Sequence, residues 1–369
     1  MKKIAAFIML TVLLFSFISC GDEDYPPVES SDLESQVAMT IEYDGKKYDV
    51  KYELYRALFL NMRESVDGGD TSVWSGENKQ EYIARIDELI KARIADIYSV
   101  LHIAKKIGID PYSSEFDKTV SEFIKVSVNG GYYDGQKIEG FGGDYDKYLE
   151  SLKEMNMNYS VQDLLLRYNV ASIRVFEYYA GYMQGEFLEQ TVQGKLEYTS
   201  EDVRNFYFSD DCARVLRAYL PKDYFSETRA AQIREKIIEK ANYGDESVAN
   251  YIIGVSSTAA SDVINGEIIG RHNLDEIYYS ELEKAAFELS YFSVSELLEV
   301  SSDYENGYVI IYKTNKTDEH FESCIDSVTS VYVQNEIGKI IDTAIDAMID
   351  SIKITDFLSN LNRAAISIE

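Results

Sequence analysis

Basic residues, histidine, cysteine and proline are all scarce in this 369-residue chain. Lys and Arg total 36 against 64 Asp and Glu, a formal net charge of −28. Nucleic acid is therefore not an expected partner, because holding a phosphate backbone takes clustered Lys and Arg. The acidic excess favours solubility and basic or apolar partners. Three cysteines, Cys20, Cys212 and Cys324, are too few for a disulfide framework or a cysteine-rich zinc site. One bridge between Cys212 and Cys324 stays open. His102, His272 and His320 show no metal-ligand spacing such as HExxH. There is no P-loop, GxSxG or GxGxxG, so neither metal nor cofactor is expected. Residues 139–143 are glycine-rich but lack a strand–turn–helix context and read as a loop. Beyond the N-terminus no apolar run approaches 18 residues, so no other segment is expected to span a membrane.

What is present starts at the N-terminus. Met1-Lys2-Lys3 precedes an apolar run over residues 4–18, the pattern of a secretory signal peptide over residues 1–19. The run is short for a spanning helix. It ends Phe17-Ile18-Ser19-Cys20, which resembles the lipobox of bacterial lipoproteins, with Phe17 where that pattern usually has Leu or Val. The resemblance implies a diacylglycerol on Cys20 and anchorage to the outer face of the cell membrane. An ordinary signal peptide with a neighbouring cysteine is the alternative. Residues 20–38 are acidic, carry Pro26 and Pro27, and read as a disordered linker.

Residues 39–50 alternate about Asp44-Gly45, a hairpin signal. Helical spacing begins near Tyr52, with Leu54, Leu58 and Met62 on one face. Over residues 79–107, Ile83, Ile86, Ile90, Ile94, Ile97 and Leu101 recur at three- and four-residue steps. Asp87 and Lys91 form an i,i+4 pair on that helix, and Gly108 and Pro111 end it. Further helices are expected at 114–126, 145–155, 160–166 and 171–188, around a Gly- and Tyr-rich loop at 128–143. Thr199 with Asp202 forms a capping-box signal. A strand at 213–220 follows, then a helix at 227–241, a short helix near Val248, a loop through Gly266 and Gly270, a helix at 282–289 and a strand at 307–312. These make a compact α/β unit. The tail, 321–351, is a long amphipathic helix with Ile325, Val328, Tyr332, Ile337, Ile341, Ile345, Met348 and Ile352 as its stripe. Such a stripe must pack, and the N-terminal helices are the expected partner.

The order of these parts resembles the PrsA/SurA-type extracytoplasmic foldases. Ala104-Lys105-Lys106-Ile107-Gly108-Ile109 is similar to that family's Ala-Lys-x-x-Gly-Ile step, and residues 198–207 to its entry into the parvulin domain. Ala218-Tyr219-Leu220 stands where the family has His-Ile-Leu. Ala285-Ala286-Phe287-Glu288-Leu289 matches Ala-x-Phe-x-Leu, and Gly307-Tyr308-Val309-Ile310-Ile311 matches Gly-Tyr-His-Ile-Ile except at the histidine. The resemblance covers nearly all of the chain after the leader. It implies an α+β fold: a helical SurA/PrsA-like chaperone domain at 39–197, an inserted parvulin-like α/β domain at 198–318, and a C-terminal segment at 319–369 packing back on the first domain.

The family's isomerases twist an X–Pro bond against a barrier of about 18–20 kcal/mol, in an apolar pocket that holds two mutually hydrogen-bonded histidines near an Asp or Cys. Here the two histidine positions read as Ala218 and Val309, and Asp262 is the nearest acid. Neither Ala nor Val can hydrogen-bond through its side chain or titrate, so no catalytic residue is assigned. Leu282, Phe287, Asp262 and Tyr219 are the candidate peptide-binding pocket, with plain core packing as the alternative for Leu282 and Phe287. Tyr132, Tyr133, Phe141 and Tyr145 are the candidate client-binding loop, since tyrosine combines contact area with a polar tip. The expected function is a membrane-tethered chaperone for unfolded exported proteins. An active isomerase with a rearranged pocket and a scaffold lipoprotein are the alternatives, and homodimerisation stays open.

Overall fold

The computed structural model describes residues 25–133, 136–184, 190–271, 276–301, 306–363 and 366. The leader, Cys20 and His272 lie outside the described residues. In chain order the elements are β1 (Val37–Tyr43), β2 (Lys46–Lys51), α1 (Tyr52–Asp67), α2 (Lys79–Lys106), α3 (Ser114–Asn129), β3 (Gly131–Tyr133), β4 (Gln136–Ile138), α4 (Tyr145–Glu154) and α5 (Tyr159–Ala180). Then follow β5 (Gly181–Gln184), β6 (Gln190–Gln193), α6 (Ser200–Phe208), β7 (Cys212–Pro221), α7 (Glu227–Ala241), α8 (Asp245–Val255), α9 (Ala260–Asn265), β8 (Glu267–Gly270), α10 (Glu276–Glu288), β9 (Leu298–Ser301) and β10 (Asn306–Lys313). The tail holds α11 (Asp318–Ser323), α12 (Ile325–Ser351), β11 (Lys353–Ile354) and α13 (Asp356–Asn360). The chain divides into two compact units. One runs up to Tyr178 and resumes at Ile341; the other is Tyr179–Ile340. The second unit is thus wider than the 198–318 span read from the sequence, because the β5–β6 hairpin and the first half of α12 belong to it.

In the first unit α2 behaves as its spacing demands. Ile86, Ile90, Ile94 and Ile97 are wholly buried, each worth about 1.5–3 kcal/mol relative to exposure. Asp87 does not stay on the surface beside Lys91. It turns inward, where Tyr55 Oη donates to it at 2.7 Å and Arg363 ion-pairs with it. That pair ties the end of the chain to α2. β11 also pairs antiparallel with β1, Met39 opposite Ile354, and Thr355 caps α13 while donating through Oγ1 to Val37 O at 2.7 Å. Two expected helices, 160–166 and 171–188, are one helix, α5, that stops at Ala180 before a hairpin. His102 is buried on α2, with Tyr48 Oη 2.6 Å from Nδ1 and the Asp44 carboxylate 3.4 Å from Nε2. Burial pushes its imidazole pKa below the usual value, against the pull of Asp44.

The acidic linker carries more structure than its composition suggests. Gln36 O accepts from Tyr52 N, Ser30 hydrogen-bonds Glu53 and Ser160, and Glu34 accepts from Asn158 at 3.4 Å. Tyr25 packs its ring on Tyr145 with centroids 5.0 Å apart. Polar side chains of α1 and α5 supply the partners that a free acidic stretch would take from water.

The second unit is a four-stranded antiparallel sheet, order β8-β7-β10-β9. α7, α8 and α9 cover one face, where Leu216, Ala218, Leu220, Ile310 and Tyr312 meet Ile233, Ile237, Val248, Ile252 and Val263. α10 covers the other, where Leu282 and Ala286 meet Ala213, Val215, Val309 and Ile311. Of the stretch through Gly266 and Gly270, read as a loop, Gly266 ends α9 and Glu267–Gly270 form β8. Glycine spacing hid a strand whose Ile268 and Ile269 are buried. The tail helix is broken at Cys324 into α11 and α12. Val328 and Tyr332, expected to face the N-terminal helices, pack on Val203, Phe206 and Tyr207 of α6. Cys212 and Cys324 sit in that same cluster as free thiols, and burial pushes the Cys212 thiol up to about 12.

Replacing Arg363 with methionine should cost the first unit about 3 kcal/mol, because it strands the buried Asp87 carboxylate without its cation. The urea midpoint of that unit reads the loss, and Asp87→Asn added to it should recover a measurable part.

Candidate functional site

The pocket positions read from the sequence fall on both faces of the second sheet. β7 and β10 pair antiparallel, with Val309 opposite Tyr219 and Ile310 opposite Ala218. Residues directly opposite in such a pair point to the same face, and successive residues alternate. Val309 and Tyr219 therefore share the α10 face, whereas Ala218 belongs to the helix-covered core with 0% exposure. Two side chains that must hydrogen-bond each other cannot stand at 218 and 309. The position facing Val309 is Tyr219, one residue further along than the sequence alignment placed it. Asp262 is a second correction. It lies exposed on α9, whose Val263 packs into the opposite core, and its carboxylate accepts from Ser261 Oγ at 3.1 Å.

Three of the four candidates do come together. Tyr219, Leu282 and Phe287 line one cluster with Val309, Leu298 and Val300. Tyr219 occupies the end of this face. Its ring passes so close to Gly307 that a Cβ there would meet Tyr219 Cε2 at 2.8 Å and Leu220 O at 2.5 Å. Its hydroxyl accepts from Asn306 N at 2.9 Å, and the Arg217 guanidinium lies 5.9 Å from the ring centroid. Beyond the end of β8, hydroxyls replace the missing strand. Tyr219 N donates to Ser256 Oγ at 2.8 Å, and Ser256 Oγ donates to Tyr219 O at 3.1 Å. Phe287 sits under the Arg271 guanidinium at 4.3 Å. Arg217 reaches Glu267 at 3.8 Å, and it is the charged pair that sequence reading missed near this face. Strand alternation around Tyr219 could have found it. His320 lies elsewhere, in the first turn of α11, which Thr317 caps by accepting from His320 N; its Nδ1 is 2.7 Å from Thr317 Oγ1. Among the described residues no group of three or more His, Cys, Asp and Glu is placed to hold a metal ion.

In the first unit the Tyr-rich loop contains two short strands, β3 and β4, paired antiparallel with Tyr132 opposite Lys137. Tyr132 is 69% exposed, Tyr133 packs edge-on against Phe123 at 5.0 Å, and Phe141 is 37% exposed. Tyr145 lies at the start of α4, which Asp144 caps by accepting from Lys147 N. Its ring stacks on Tyr148 at 5.9 Å, and burial pushes its phenol up to about 12. The four loop residues are therefore not equivalent. Tyr132 faces solvent, whereas Tyr145 is already covered by Tyr25.

The register assignment is testable by substitution. Ala218→His should lower the urea midpoint of the second unit by the equivalent of about 2 kcal/mol or more, since an imidazole there overpacks a filled core and is desolvated. A loss well under 1 kcal/mol would place Ala218 on the open face instead.

No protein-family model matches the chain, and no curated protein matches it. Among solved structures the chain is similar to PrsA from Bacillus subtilis, at 16% identity over 86% of this chain and 93% of that one, with a TM-score of 0.23. It is similar to the foldase protein PrsA from Streptococcus pneumoniae at 16% identity, over 74% and 88% of the two chains, with a TM-score of 0.28. It is similar to the foldase protein PrsA from Lactococcus lactis at 11% identity, over 87% and 96%, with a TM-score of 0.22. Superpositions this loose leave the fold to rest on the strand order and packing described above.

Proposed function

We propose that this chain is a membrane-tethered extracytoplasmic holdase for exported proteins, and that its α/β unit binds client segments without isomerising them. The observation that carries the reading is the pair facing each other across β7 and β10. Val309 offers no polar side-chain atom, and the Tyr219 hydroxyl oxygen accepts from the Asn306 amide. Whatever a hydrogen-bonded histidine pair contributes to X–Pro rotation has no counterpart there. The aromatic groups that a holdase needs are present on exposed surface: Tyr132 and Tyr112 are 69% and 58% exposed in the first unit, and Tyr224 and Tyr243 are 82% and 73% exposed in the second. Rings of this kind add contact area at low conformational cost, and the large negative charge keeps a client-loaded chaperone soluble. A lipid on Cys20 would hold the chain where exported proteins emerge, raising its local concentration there. Among the described residues no helix is long and apolar enough to cross a membrane.

Two measurements test the proposal. The full chain should suppress aggregation of a chemically unfolded client at near-stoichiometric ratio while leaving the cis–trans rate of a proline tetrapeptide at its uncatalysed value. Catalysis that disappears with Tyr219→Ala would establish an isomerase, and unaltered aggregation would leave only a scaffold. In an expressing bacterium Cys20→Ala should move the protein from the membrane fraction to the soluble extracytoplasmic fraction; an unchanged distribution would remove the anchor.

A further inference from the structure

The first unit carries a row of aromatic rings, and one member of the row comes from the linker. Phe141 meets Tyr148 at 6.1 Å, Tyr148 stacks on Tyr145 at 5.9 Å with 18° between planes, and Tyr145 meets Tyr25 at 5.0 Å. Two hydrogen bonds lock the last step. Tyr25 Oη donates to Asn129 Oδ1 at 2.7 Å, and Tyr145 Oη donates to the Pro26 carbonyl at 2.7 Å. That carbonyl precedes Pro27. The second proline biases Pro26 toward an extended conformation.

The receiving side is built from the fold. Gly140 approaches Gly130 so closely that a Cβ would lie 2.0 Å from Gly130 N, and Phe141 N and Gly143 N both donate to Val128 O. These contacts fix the base of the hairpin, and with it Asn129 at the end of α3 and Phe141 beside α4. Asp144 then caps the helix that presents Tyr145 and Tyr148. Tyr148 is 3% exposed, and burial raises its phenol pKa. Its ring is therefore a floor rather than a surface group.

We infer that Tyr145, Tyr148, Phe141 and Asn129 form a binding site for extended aromatic–proline segments, and that Tyr25-Pro26-Pro27 is its resident occupant. The inference rests on the client-binding reading above and names the segment class bound. Aromatic-lined surfaces take proline-rich segments well because the segment is extended before it binds and loses little conformational entropy. Here the aromatic side chain extends the ring row, the hydroxyl from the segment meets Asn129, and the hydroxyl from Tyr145 meets the carbonyl before proline. An exported chain with a tyrosine before two prolines offers the same three groups, and one with another aromatic residue offers the ring without the hydroxyl. The linker competes at the millimolar effective concentration typical of a short tether, so an incoming segment displaces it only when locally abundant or when it adds contacts elsewhere.

The test uses the full chain and a fluorescein-labelled peptide copying residues 22–29, followed by anisotropy. Tyr25→Ala should bind the peptide about tenfold more tightly than the parent, because the internal competitor is weakened. Adding Tyr145→Ala should abolish that binding, and Tyr145→Phe, which keeps the ring but not the hydroxyl, should weaken it several-fold. A peptide with its tyrosine replaced by alanine should not bind. Equal affinity for parent and Tyr25→Ala, or affinity that survives Tyr145→Ala with unchanged circular dichroism, would overturn the site. If the peptide data fail while aggregation suppression persists, only this inference falls. If suppression is absent while the peptide binds as described, the holdase reading falls and the site remains.

Discussion

The second unit depends on the ladder between β7 and β10. Seven residue pairs, from Gly307 with Pro221 to Lys313 with Val215, set which side chains share a face. Shifting the ladder by one residue would carry Ala218 and Ile310 out of the helical core and drive Arg217 and Tyr219 into it. The register is held at both ends. Ser256 and Thr258 satisfy the Tyr219 amide where β8 has stopped, and at the other end Arg214 sends its guanidinium to the carbonyls of Ile264, Asn265 and Asn315. Burial lowers the Arg214 pKa, and three carbonyl acceptors compensate the desolvated cation.

The first unit uses a different device. Its helices α1 and α2 present aliphatic and aromatic stripes, but the polar residues inside that core are paired by chain that arrives late. Asp87 needs Arg363, and β1 needs β11. Asp96 shows the same economy within the helices. Burial raises its carboxyl, Arg93 and Tyr168 oppose that rise, and Asp342 on the far half of α12 adds to it.

Periodic features were legible in the sequence because burial follows them directly. The isoleucine stripe of α2, the Asp44-Gly45 turn with both residues at positive φ, the Thr199–Asp202 capping box and the Gly108 stop at φ +90° all appear where residue type demands. Features set by tertiary partners were not legible. Asp87 looked like half of a surface pair because Arg363 lies at the other end of the chain. Residues 25–36 looked free because their hydrogen-bond partners are on α1, α4 and α5. Glu267–Gly270 looked like part of a loop because β7 supplies the ladder that makes it a strand. The pocket was half legible. Leu282, Phe287 and Tyr219 converge, but motif matching could not fix a register to within one residue, and one residue reverses the face.

The split of the first unit has a consequence for how the protein is made. Its second unit is continuous in sequence, whereas the first waits for residues beyond Ile341 to deliver β11, Thr355 and Arg363. A chain that emerges from its N-terminus during synthesis completes the β-sheet and core of the inserted unit while β1 still lacks its outer partner strand. The edge of β1 stays open, and Asp87 without Arg363, until residues 353–363 have emerged. Lys353–Ile354 and Arg363 thus act on the first unit as its closing strand and its closing charge.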